Sequence, residues 1–217
     1  MSALDLDRVR ANLDDIRRRI DAACRRAGRK SEEITLVVVT KTIPGEQISK
    51  LAEAGVTDVG ENRAAEAGER LAGARGMRRH MIGHLQTNKT RKALAWADVL
   101  HSVDRASLVD ALIAANAAIP CYVQVNVSGE ASKGGFRPEE VAAAVAAARK
   151  GLRVEGLMTM APAGEDARPH FRRLRSLAEK EGLRGLSMGM SQDFEVAVEE
   201  GATLVRIGSA VFEGARL

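Results

Sequence analysis

Short apolar runs and helix-like stretches take turns from about residue 34 onward, and this alternation constrains the fold more than any other feature of the chain. The first run, Ile34 to Lys41, reads Ile-Thr-Leu-Val-Val-Val-Thr-Lys. Six of its eight residues are β-branched, and it is too short for an ordinary helix, so it predicts a strand buried on both faces. Further strands are predicted over about 57–60, 79–85, 98–103, 120–127, 152–160, 185–190 and 202–207. Helices are predicted between them, beginning with 45–54, which Gly55 closes. Asp104 is expected to cap the helix after the fourth strand, and Ser191 to cap a helix from Gln192 to Glu200. Pro138 falls in the first turn of the helix after the fifth strand, and Phe212 in a short last turn.

Eight strands, each followed by a helix, argue for a parallel sheet. Closed on itself, such a sheet is a (β/α)8 barrel of the TIM type; an open doubly wound sheet is the alternative. The 217 residues lie near the low end for the barrel, roughly 200 to 250. One domain over 1–217 is therefore expected, with a leading helix inside 1–28 and the barrel over 34–217. The leading helix is marked by Leu6, Val9, Leu13, Ile16, Ile20 and Ala23 at helical spacing, with Gly28 as its stop.

Apolar residues make up 45% of the chain and aromatics only 3%, so the core is aliphatic and alanine-rich. Net charge is +4, with 33 basic residues set against 29 acidic ones. The arginine clusters at 17–19, 25–26, 78–79 and 172–173 stand beside acids or alanines, without aromatic stacking platforms. They read as solvated faces and not as a nucleic-acid surface. Cys24 and Cys121 have no metal or redox spacing, so no metal site is expected and both read as buried thiols in a reducing compartment. The start, Met-Ser-Ala-Leu-Asp-Leu-Asp, lacks the pattern of a signal peptide, and no apolar run reaches membrane-spanning length. A soluble, cytoplasmic protein is expected, with no membrane partner. No hydrophobic surface pattern settles its assembly, and a monomer or weak dimer is the expectation.

Polar residues that are odd for a core gather at the carboxyl ends of the predicted strands. Lys41 closes the first, Asn62 follows the second, and His84 lies in the segment Gly83 to Lys89 that ends the third. Tyr122, Gln124, Asn126 and Ser128 share one face of the fifth. Ser191 ends the seventh, and Arg206, Gly208 and Ser209 end the eighth. Any one of these has a plain reading: a solvated lysine, a helix cap, a loop hydroxyl. All of them at carboxyl ends is what a barrel active site requires. Barrels commonly hold a phosphate between the loops after strands seven and eight, which here offer Ser191, Gly208 and Ser209. An interior Arg206 must have a partner, because a guanidinium does not shed its proton. A phosphate site, a strand-one lysine and an interior arginine together suggest a phosphorylated aldehyde held as a Schiff base.

The sequence resembles the YggS/PROSC family of pyridoxal-phosphate-binding proteins. The resemblance is carried by Val-Thr-Lys at 39–41, Gly-Glu-Asn at 60–62, the segment from His80 to Lys89, and Val-Asn-Val-Ser at 125–128 with Ser132-Lys-Gly-Gly135. It continues through Gly156 to Met160, Leu186 to Ser191 with Asp193, and Val205 to Gly208. At 63–65 the chain has Arg-Ala-Ala, where that family often has an aromatic residue and a glutamine. The resemblance implies a fold-type III barrel, like the barrel half of alanine racemase, with pyridoxal 5′-phosphate bound covalently to Lys41. It implies phosphate contacts from Ser191, Gly208 and Ser209, a contact from Asn62, and Arg206 facing the pyridine nitrogen. His84, Asn126, Met158 and Met188 are expected to line the site. It also implies a role in vitamin B6 homeostasis as a carrier or regulator, with pyridoxal-phosphate-dependent apoenzymes as recipients.

The competing reading is a fold-type III racemase or decarboxylase. A two-base racemase needs a second proton donor opposite the lysine. The one tyrosine, Tyr122, starts the predicted fifth strand, ~20 Å from the catalytic end. The chain runs nine residues beyond Gly208, so an added domain carrying another donor is not expected. His84 remains a candidate base. A cofactor-free lysine aldolase would keep the barrel and the phosphate site but give Arg206 no use.

Overall fold

In the computed structural model, residues 4–130 and 133–215 are described, and Ser132 of the motif at 132–135 falls outside them, as do the first three residues. The eight strands are β1 Thr35–Val39, β2 Asp58–Glu61, β3 Arg78–Met81, β4 Val99–Val103, β5 Pro120–Gln124, β6 Arg153–Met158, β7 Gly185–Ser187 and β8 Leu204–Ile207. They are parallel and close in sequence order, β8 pairing back onto β1 with Arg206 opposite Val37. The closed barrel, and not the open sheet, is the architecture.

Most strands are shorter than the sequence pattern predicts, and several lose residues at their carboxyl ends. The runs expected to reach 85, 127, 160 and 190 stop at Met81, Gln124, Met158 and Ser187. Past these ends only single ladder bonds continue, such as Val125 N–H to the Met158 carbonyl and Thr159 N–H to the Ser187 carbonyl, and the polar tails of these runs become loops over the mouth. Two bulges also shift the facing of side chains, one between Leu100 and Val103 in the β4–β5 pairing and one between Cys121 and Tyr122 in the β5–β6 pairing.

The helices are α1 Leu6–Arg26, α2 Ala64–Arg70, α3 Thr90–Leu94, α4 Ala106–Ala114, α5 Val141–Ala148, α6 Ala167–Lys180 and α7 Phe194–Glu199. The segment Gly45–Ala54 after β1 is a 3-10 helix, ended by Gly55 at φ 74°. After β8 the described residues form turns, as expected for the short last turn at Phe212, so the eighth strand has no helix of its own among them. The leading helix takes the vacant place. α1 packs on α7 on one side and on the 3-10 helix after β1 on the other. Its Val9, Leu13, Ile16 and Ile20 are buried, each stabilising the fold by about 1.5–3 kcal/mol. Asp5 caps its start by accepting from the Arg8 N–H at 3.0 Å. Arg19 and Arg26 pair with Glu195 and Glu199 of α7, and Arg29 donates to the carbonyls of Val198 and Ala202.

The barrel interior is part apolar and part polar. Val37, Val99, Tyr122, Met158 and Leu204 form one interior cluster, while the outward strand residues pack under the helices. Both cysteines are free and buried. Burial pushes the Cys121 thiol up to about 12, which keeps it inert. Among the described residues, no helix is long and apolar enough to cross a membrane.

Candidate functional site at the carboxyl ends of the strands

A cavity of about 1260 Å³ opens over the carboxyl ends of the strands. Lys41, Asn62, His84, Ser191, Arg206, Gly208 and Ser209 all line it, so the topology brings these sequence-predicted residues to one place. Met158, Met188 and Asn126 do not line it. Met158 is buried in the interior cluster and Met188 faces the helices, where strand alternation puts it. Met160 and Met190, two residues further along, are the exposed methionines at the mouth. The Asn126 amide instead organises the loop after β5, donating to the carbonyls of Glu130 and Lys133.

Lys41 is exposed and follows β1 by two residues; no ion pair or hydrogen bond holds its side chain among the described residues. The turn that carries it is held firmly. Buried Glu61, at the end of β2, accepts from the Thr40 hydroxyl at 2.7 Å and from Arg70 of α2 at 3.2 Å. Arg70 also donates to the carbonyls of Thr40 at 2.9 Å and Ile43 at 2.8 Å. The residues on both sides of Lys41 are thus fixed while its amine stays unengaged. Sequence reading passed over Arg70, which looks like any surface arginine on a short helix.

Arg206 is the opposite case. It is buried, donating to Ser187 Oγ at 2.5 Å and to the Thr159 carbonyl at 2.9 Å. Burial lowers its pKa to about 10, partly offset by the charge of Asp193, so it stays a cation at neutral pH. Its other N–H donors are left for the cavity it lines.

Ser191 is not a helix cap. α7 starts later, with Asp193 at the N-cap position and no side-chain bond to the helix. Asp193 accepts instead from the Met190 N–H at 2.6 Å. Burial raises the Asp193 pKa, opposed by that hydrogen bond and by the Arg206 charge. Ser191 is free to meet Ser209, their hydroxyl oxygens 2.9 Å apart, which joins the loops after β7 and β8. Two glycines allow this approach. A Cβ on Gly189, at φ 97°, would lie 2.6 Å from the Ala197 Cβ, so only glycine lets α7 settle against this turn. A Cβ on Gly208 would press on Val39 of β1 at 3.2 Å.

Asp104 also departs from its expected role. The N-cap of α4 is Arg105, and Asp104 faces the cavity. Its carboxylate takes the His84 Nδ1 at 2.7 Å and the Arg105 guanidinium at 2.5 Å. The bulge in β4 accounts for the turn inward, since it shifts the facing of the side chains at the end of the strand.

A β/α barrel whose carboxyl-end cavity holds an unpartnered lysine, an interior arginine and paired serine hydroxyls is the class defined by this fold and site. The chain belongs to the family described as the alanine racemase N-terminal domain, which it matches over residues 4–215. It is 40% identical over 221 residues to the pyridoxal phosphate homeostasis protein of Pseudomonas aeruginosa, covering 96% of each chain. It is 38% identical over 217 residues to the protein of the same name from Aquifex aeolicus, covering 92% of this chain and 95% of that one. Among solved structures, PipY of Synechococcus elongatus with pyridoxal phosphate bound is similar at TM-score 0.80 and 29% identity, over 94% of this chain and 99% of that one. Alanine racemase from Corynebacterium glutamicum shares the fold at TM-score 0.70 and 21% identity, over 97% of this chain and 62% of that one.

Proposed function

We propose that this protein binds pyridoxal 5′-phosphate covalently at Lys41 and releases it to apoenzymes, as a carrier in vitamin B6 homeostasis with little or no turnover of its own. The observation that carries the reading is the convergence of Lys41, Arg206, Ser191 and Ser209 on one cavity. The donor set suits a phosphorylated pyridine aldehyde: an amine without a partner, hydroxyls for a phosphate, and a guanidinium with donors to spare. The names and the bound ligand of the relatives point the same way.

Lys41 would hold the cofactor through its amine at the aldehyde carbon, and the Glu61–Arg70 clamp keeps the Lys41 backbone in place. Ser191 and Ser209, with the backbone at Gly208, hold the phosphate between the last two loops. Arg206 meets the pyridine nitrogen as a donor, so that nitrogen stays unprotonated. When bound, the cofactor supplies an electrophilic carbon and an electron sink, and an unprotonated ring makes the sink weak. That limits carbanion chemistry without forbidding it.

The placement of Tyr122 favours carriage over racemisation. It is buried in the barrel interior, stacked on His101, and does not line the cavity. His84, ordered by Asp104, lines the cavity as a group suited to a second proton transfer. The test is to load the protein and add an apo-transaminase, while following common amino acids by chiral chromatography. Reactivation of the apoenzyme without racemisation, transamination or decarboxylation by the loaded protein is the expected result. Robust Lys41-dependent turnover of any amino acid would make this an enzyme.

A further inference from the structure

A line of hydrogen bonds crosses the barrel interior beneath the cavity. It runs from Arg206 Nη1 on β8 to Ser187 Oγ on β7 at 2.5 Å, and from Ser187 Oγ to His101 Nδ1 on β4 at 2.8 Å. It continues from His101 Nε2 to His80 Nδ1 on β3 at 2.9 Å, and from His80 Nε2 to Asp58 Oδ1 on β2 at 2.9 Å. Arg206 lines the large cavity, and Asp58 lines a second cavity of about 450 Å³ at the amino ends of β1 and β2. Sequence reading missed the line: His101 was hidden inside an otherwise ordinary strand.

We propose that His80 and His101 are positioning residues for Arg206, acting through Ser187 in a one-directional chain of hydrogen bonds that ends on Asp58. The proposal rests on the reading that Arg206 faces the pyridine nitrogen of the bound cofactor. The direction follows from the donors. A guanidinium only donates, so Ser187 Oγ accepts from Arg206. The Ser187 hydroxyl proton then goes to His101 Nδ1, which leaves His101 with its proton on Nε2. That proton goes to His80 Nδ1, and His80 in turn gives its Nε2 proton to the Asp58 carboxylate. Every proton is used once and both rings are neutral. The formal charges lie only at the ends, on Arg206 and Asp58.

The opposite direction sends protons from both His101 and Arg206 to the one serine oxygen and strands the hydroxyl proton. It also places two protons on His80, adding a cation to the barrel interior. The surroundings disfavour that. His101 is completely buried, and burial first, then the charges of Arg206 and Arg78, hold its pKa well below the usual range. Tyr122 of β5 stacks on it with ring centroids 4.9 Å apart, offering a ring face and no counter-charge. Asp58 is held below its ordinary range: burial would raise it, but hydrogen bonds from His80 and Thr57 and the charge of Arg78 outweigh that. The facing charged groups are thus Asp58, Arg78, Arg206 and, beyond Arg206, Asp193.

In this arrangement Ser187 always presents an accepting oxygen to Arg206. With the Thr159 carbonyl it fixes the guanidinium plane and leaves the remaining donors toward the cavity. Losing the acceptor frees Arg206 to rotate and weakens the one contact that distinguishes a ring nitrogen from a ring carbon.

Two measurements test this. The first uses the wild-type protein without cofactor, labelled with ¹⁵N in its histidine rings. Long-range ¹H–¹⁵N correlation at pH 7 is expected to show both rings neutral, with protons on Nε2 of His80 and His101. A proton on His101 Nδ1, or a doubly protonated His80, would overturn the direction and with it the proposal. The second compares pyridoxal 5′-phosphate with its 1-deaza analogue, in which carbon replaces the ring nitrogen, in wild type and His101→Phe. The variant is expected to bind the natural cofactor roughly tenfold more weakly and the analogue with unchanged affinity. Equal losses for both, or no loss for either, would overturn the positioning role. If neither compound binds wild type, the functional reading fails, and the ring measurement alone decides the chain.

Discussion

Lys41 and Arg206 line one cavity in this barrel, and they are held in opposite ways. Arg206 is buried and gripped by Ser187 and Thr159, whereas Lys41 is exposed, with only its backbone secured. A permanent donor benefits from fixed geometry, while an amine that must form and break a bond benefits from freedom. The grip on the Lys41 turn is itself testable. Arg70→Ala leaves the buried Glu61 without its cation, and should cost about 2–4 kcal/mol in urea unfolding. It should also weaken cofactor binding, read as loss of visible absorbance at fixed cofactor concentration. At the other end of the site, Ser191→Ala with Ser209→Ala should lower affinity for pyridoxal phosphate roughly tenfold or more and leave pyridoxal unaffected. Equal losses for the two vitamers would show that these hydroxyls do not face the phosphate. Lys41 and Arg206 were legible because each breaks an apolar run at a strand end. Arg70 and His101 were not, because their partners lie on other elements, and single-strand alternation carries no record of them.

Among the elements, α7 packs between α1 and α6, with ion pairs to α1 on one side and, at the residue that follows it, to α6 on the other. Glu200, which follows it, is buried and takes Arg168 at 2.6 Å, Arg172 at 3.1 Å and Arg175 at 3.3 Å, all from α6. Burial alone would raise the Glu200 pKa. Hydrogen bonds from Arg168 and Arg172, and the charges of Arg172 and Arg175, outweigh it and hold the carboxyl below its ordinary 4.5. A depressed carboxylate stabilises the fold fully above its unfolded value, and that contribution is lost as pH falls through the folded value. Glu200→Gln should therefore cost about 1–3 kcal/mol at pH 7 and unfold with a shallower acid dependence below 4.5 than wild type. Urea midpoints at pH 7 and at successively lower pH check both parts. Helix starts were the least legible elements. Ser191 and Asp104 both have good capping chemistry, but the chain around Ser191 continues over the rim, and the β4 bulge turns Asp104 into the cavity.

At the scale of the molecule, a barrel with eight strands closes its helical ring by using the chain's first helix in the last position. α1 joins the two ends of the barrel sequence, touching α7 and the helix after β1. Its four large buried aliphatics contribute on the order of 6–12 kcal/mol, comparable with the ~5–15 kcal/mol of net stability usual for a domain. Leu13→Ala alone should cost about 2–5 kcal/mol, and a chain beginning at residue 30 should lack cooperative thermal unfolding by circular dichroism. The eightfold alternation made the barrel legible, and the periodic apolar stripe made α1 legible as a helix. Its position was not, since a stripe says that a helix buries a face but not against what. The claim on which the account turns is a covalent cofactor at Lys41, and peptide mass spectrometry after borohydride reduction of the protein incubated with pyridoxal phosphate tests it most directly. The account predicts a pyridoxyl adduct on the peptide containing Lys41, absent together with the visible absorbance in Lys41→Ala; an adduct on another lysine, or none at all, would contradict it.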